Sequence, residues 1–150
     1  MMQETGVTCD FLAQILGGSG RFENGGCTVS VPRGNIPAAI GGRAFRALSH
    51  TVHFEPPDAD GNSLITGDLL LLEQEVPNIV YALSQAGIIA SSVGSRWILD
   101  QPRLVYAGIV AVADRVDFAN KLARILNAVT RPQPAPQAAP APRAEPAART

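Results

Sequence analysis

The chain has 150 residues, with 12 Lys plus Arg against 13 Asp plus Glu and a formal net charge of −1. That size makes one domain. The balance excludes neither solubility nor a core, but it argues against a nucleic-acid partner, which needs clustered positive charge, and against a membrane-surface helix, which needs a basic polar face.

The first residues, Met1-Met2-Gln3-Glu4-Thr5, show no basic segment followed by an apolar run, and no stretch is apolar for long enough to span a bilayer. As written, the chain reads as cytoplasmic and soluble. Cys9 and Cys27 are too few to define a disulfide framework, and the lack of an export signal disfavours their pairing.

Thr8 is placed to cap a short helix with Phe11, Leu12, Ile15 and Leu16 as its buried stripe, and Gly17-Gly18 to end it. Two short runs flank Asn24-Gly25, a hairpin signal, and Pro32 stops the second. Residues 33–45 are glycine-rich and give no clear assignment. From Arg46 to Phe54 the chain alternates, with Leu48, His50, Val52 and Phe54 on one face and Ser49, Thr51 and His53 on the other, which predicts a half-buried strand. After a Pro/Asp/Gly turn cluster, Ser63–Leu71 reads as a strand interrupted at Gly67-Asp68.

A helix is predicted from about Gln74, with Pro77 in its first turn, Val76, Ile79, Val80, Leu83 and Ala86 as its stripe, and Gly87 as its stop. Ile88–Val93 is a short strand, and a polar stretch follows around Gly94-Ser95-Arg96. The continuous apolarity of Leu104–Val112 predicts a central strand covered on both faces. Asp114 caps a final helix. The order implies an α+β domain over 1–130: an antiparallel or mixed sheet with helices packed on one face, and a ferredoxin-like split βαβ unit in the second half. Residues 131–150, with a proline at nearly every second or third position, read as a disordered, extended tail with too little apolar surface to offset ordering.

The run Gly67-Asp68-Leu69-Leu70-Leu71, then Glu75-Val76-Pro77-Asn78, Ala82-Leu83 and Gly87-Ile88, resembles the bacterial LppY/LpqO-like family. Asp100-Gln101-Pro102-Arg103 leading into Leu104-Val105-Tyr106 fits that family's Pro-Arg strand, and Cys27–Arg33 its valine-rich strand. The likeness covers roughly residues 8–128. The resemblance implies a domain of unknown function, common among exported proteins and lipoproteins, and many members look like two tandem copies of the unit. Where those members carry His-x-His this chain has Gly94 and Arg96, and where the next strand carries a histidine it has Gly108. Glycine has no side chain to offer, and arginine stays protonated, so neither replaces imidazole as a metal ligand or proton carrier.

Asp68, Ser95, Arg96 and Arg103 are the candidate ligand-binding residues, with Asp68 expected to pair with Arg96 or Arg103. Trp97 and Tyr106 are candidate interface anchors. His50 and His53, three apart on a strand, point to opposite faces and cannot chelate together. These readings give a non-catalytic interaction or small-ligand-binding module, without cofactor or metal, that forms a homodimer in place of the second copy. One alternative is a residual metal-dependent or acid–base enzyme using Asp68, Glu75, His50 and Asp100. The other is a scaffold acting through the Pro/Ala tail.

Overall fold

The computed structural model describes residues 8–34 and 36–130. The tail expected over 131–150, and any scaffolding role placed on it, lie outside the described residues. Helix α1, Cys9–Leu16, starts where the Thr8 hydroxyl accepts the Phe11 N–H and stops at Gly17, whose φ of 83° is left-handed. Its buried stripe is Cys9, Leu12, Ala13 and Leu16, whereas Phe11 is 46% exposed. The sequence stripe was therefore off by part of a turn. The reason is covalent: Cys9 is disulfide-bonded to Cys27, which turns its side of the helix toward the sheet. That bond also corrects the expectation of free thiols.

Strands β1 (Ser19–Glu23) and β2 (Gly26–Pro32) form the predicted hairpin, with Asn24 at φ 53° and Gly25 at φ 80° in its turn. The ambiguous segment holds a second hairpin, β3 (Ala38–Ile40) and β4 (Arg43–Phe45), around Gly41 and Gly42. Strand β5 runs Ser49–Phe54 and β6 runs Ser63–Leu72. Gly67 does not interrupt β6 as the sequence suggested. A Cβ there would sit 2.6 Å from the Thr51 carbonyl, so the glycine lets the two strands pair closely. A 3-10 turn at Glu73–Glu75 leads into α2, Val76–Gln85. Strand β7 spans Ile89–Ser95, longer than expected because Gly94 and Ser95 stay in the ladder. A short β8 (Asp100–Gln101), the long β9 (Leu104–Ala113) and α3 (Arg115–Val129), capped by Asp114, complete the chain.

Six strands form one antiparallel sheet in the order β1-β2-β5-β6-β9-β7, and β4-β3-β8 form a small second sheet. Strands β6 and β7 both run antiparallel to β9 and lie on either side of it, so β6-α2-β7 is a split βαβ unit with β9 in the gap. The α+β class and the helices on one face are as the sequence predicted. Leu12, Phe54, Ile65, Leu69, Leu83, Ile109, Phe118 and Leu122 are fully buried or nearly so between the sheet and the three helices.

The opposite face is covered only at one end. There Ala38 of the small sheet, with Ile36 and Leu48 flanking its hairpin, packs onto Leu70 and Leu104. Strand β9 is thus covered on both faces near Leu104, but its other end is not: Val112 is 67% exposed. The apolar run predicted a doubly buried strand, and only half of it is one. Buried Arg33 ties the covered end together. Its guanidinium donates to both Glu75 carboxylate oxygens, at 2.7 and 3.1 Å, and to the carbonyls of Leu70 and Thr130.

Candidate functional site

Cross-strand register fixes what the uncovered face presents, because residues directly opposite share a side of the sheet. Ser30 pairs with Thr51, Thr51 with Asp68, Asp68 with Gly108, and Gly108 with Ser92. A polar row therefore crosses five strands at right angles to them. The next row is Thr28, His53, Thr66, Val110 and Ile89. Gly108 has no side chain, and the row dips there into an open trough of about 330 Å³. A Cβ at Gly108 would stand 2.5 Å from the Ser92 hydroxyl, so Ser92 leans over the space a larger residue would fill. The Ser91 hydroxyl, released by a bulge in β7, donates to the Gly108 carbonyl.

At one side of this row stand the charged and aromatic groups. Asp68 and Arg96 are 3.9 Å apart and each is about half exposed. The Arg96 guanidinium lies over the Tyr106 ring, 3.7 Å from its centroid, a cation–π contact that fixes a long side chain. Tyr106 meets Trp97 edge to face at 5.6 Å, and Trp97 meets Phe45 at 4.9 Å. The aromatic run leads from the trough down into the small-sheet core, and Trp97 and Tyr106 are engaged within the chain. Burial raises the Tyr106 phenol above its usual range. Asp68 pushes the same way and Arg96 opposes, so the hydroxyl keeps its proton at neutral pH.

The four sequence candidates separate into two places. Asp68 and Arg96 share the trough side, as one of the expected pairings had it. Ser95 and Arg103 instead line a different hollow of about 670 Å³ beside Val76 and Pro77 at the start of α2. Arg103 interacts with Asp100, 3.6 Å away, and donates to the Trp97 carbonyl. Ser95 faces away from Asp68 because it pairs with Val105, whose side chain is on the helix side.

The acid–base candidates are dispersed and already bonded. The His50 Nδ1 accepts the Leu70 N–H at 3.0 Å, which places the ring proton on Nε2. Burial, helped by the Arg33 charge, lowers its pKa to about 3. Glu75 is held by Arg33 and accepts the Leu72 N–H, and Asp100 accepts the Leu104 N–H at 2.7 Å. Among the described residues no three His, Cys, Asp or Glu side chains converge as a metal site.

Sequence reasoning missed part of the polar face. Thr28 and His53 pair across strands at 2.7 Å, and His53 donates from Nε2 to Glu55 at 3.0 Å. His53 and His50 do lie on opposite faces, as alternation required. Thr51, Thr66 and Ser92 were not singled out, though the polar alternation of β5 carried the signal. What it could not carry was which hydroxyls of distant strands fall in one row.

No curated protein and no solved structure matches the chain. The model of the family described as Domain of Unknown Function (DUF1259) does match, over residues 10–128, and the chain belongs to that family.

Proposed function

We propose that the chain is a non-catalytic module that binds a small ligand in the trough of its open sheet face. The observation that carries this reading is that Asp68 and the hydroxyls of Thr51 and Ser92 line one dip, with Arg96 beside Asp68, while His50, Glu75 and Asp100 are each engaged elsewhere. Binding groups thus gather at the dip, while three of the four acid–base candidates are committed to structural bonds and Asp68 is paired with Arg96.

The likeness to the LppY/LpqO-like type supports the same view. Gly108 pairs with Asp68, Arg96 lies beside it, and Gly94 stands one row further along, opposite Tyr106, so the three positions where that type carries histidine fall on the same face as one carboxylate. Three imidazoles and a carboxylate there would suit a transition metal; two glycines and an arginine do not. The Cys9–Cys27 disulfide supports an oxidising compartment over the cytoplasm. Among the described residues no helix is long and apolar enough to cross a membrane.

A thermal-shift screen of small metabolites on the full chain tests the reading. A ligand should raise the melting temperature of the native chain and leave that of the Asp68→Ala/Arg96→Ala double variant unchanged. If zinc, manganese or calcium gave the only shift, and the double variant lost it, the metal-enzyme alternative would stand instead.

A further inference from the structure

Resting on the trough being a binding site, we infer that its ligand is a neutral, polyhydroxylated molecule of the saccharide class. Charge decides against an ion. Asp68 and Arg96 sit 3.9 Å apart with nearly equal exposure, so the carboxylate repels an anion where the guanidinium attracts it, and a cation meets the reverse. His53, which also lines the trough, is bonded to Glu55.

A hydroxyl both donates and accepts, so two neighbouring sugar hydroxyls can give to Asp68 and take from Arg96 without displacing either. Thr51 stands beside Asp68 in the same row, Ser92 lies beyond Gly108 on its other side, and both hydroxyls can serve either role. Neighbouring strands lie about 4.8 Å apart, so the five-strand row spans about 19 Å and repeats its polar groups at roughly the breadth of one pyranose ring. The C–H face of such a ring has apolar partners in Val110 and in Ile89, which is 63% exposed. The Tyr106 face is taken by Arg96, so it positions the guanidinium and does not serve as a stacking platform.

The chain supplies its own reporter, because Trp97 is its single tryptophan and touches Tyr106. The full chain is titrated with neutral tetrasaccharides of glucose, xylose, mannose and N-acetylglucosamine, and separately with inorganic phosphate, citrate and spermidine. Trp97 emission and backbone amide shifts are followed. At least one saccharide should give a saturable response centred on Thr51, Asp68, Ser92 and Gly108. Asp68→Asn and Arg96→Gln, both at exposed positions and checked for unchanged circular dichroism, should each weaken it about tenfold. Gly108→Ala should weaken it as well by filling the dip. Saturable binding of phosphate, citrate or spermidine in the trough with no saccharide response overturns the ligand class and leaves the binding-module reading intact. No saturable response there from any probe up to its solubility limit overturns both.

Discussion

Arg33 shows how one side chain can hold distant parts of a fold. It lies 42 residues from Glu75 and 97 from Thr130, and it bonds to both. Truncating it leaves the Glu75 carboxylate with only the Leu72 N–H and takes the guanidinium from two carbonyls. Arg33→Ala should therefore cost about 3–5 kcal/mol of unfolding free energy in urea titrations. His50 adds a pH dependence whose sign follows from its lowered pKa. Above its unfolded value of about 6.5 both states are neutral. As pH falls below that, only the unfolded chain takes the proton, so stability is lost at up to about 1.4 kcal/mol per pH unit down to about 3. Urea midpoints from pH 7 to 4 should follow this slope, and His50→Asn, which keeps an acceptor for Leu70, should flatten it. Neither partnership was legible in the sequence. Alternation placed His50 on the inner face, but an acceptor for a specific amide across 20 residues has no periodic signature.

Among the elements, the most readable were those with a local cause. Thr8, Asp114, Asn24-Gly25 and Gly87 marked caps and turns because each satisfies or bends the backbone where it stands. The failures were places where a remote contact overrode the local pattern. Gly67 looked like a break and is a close approach. Gly67→Val should push β5 from β6 and cost at least about 1–3 kcal/mol, measurable as a lower melting temperature. Helix α1 looked as if it buried Phe11 and instead follows Cys9. Replacing both cysteines by alanine should lower stability by about 3 kcal/mol, as expected when an 18-residue separation is no longer closed, and reductant should reproduce the loss. The candidate site was half legible for the same reason. Asp68 stood out as a carboxylate in an apolar strand, whereas the hydroxyl row exists only once the register of five strands is set.

For the whole molecule, the open face has two characters. Beside the polar trough, Leu64 and Val112 are paired in register and exposed by 46 and 67%. We propose this apolar end, in place of Trp97 and Tyr106, as the surface on which a second copy would seat. Native mass spectrometry of the full chain should show a dimer that Val112→Asp converts to monomer; a native chain that is strictly monomeric at high concentration would dispose of the idea.

The position of β9 bears on how the chain can be built during synthesis. It is the last strand in sequence, yet it lies between β6 and β7, one place in from the edge of the large sheet. Until residue 113 has left the ribosome, β6 has a bare edge, β7 has no neighbour at all, and the inner face awaits α3. A nascent chain of this protein therefore cannot close its sheet in steps from the N-terminus. It must hold an unfinished, sticky intermediate until almost the whole domain has emerged, which makes that interval the one in which a chaperone or premature self-association decides the yield.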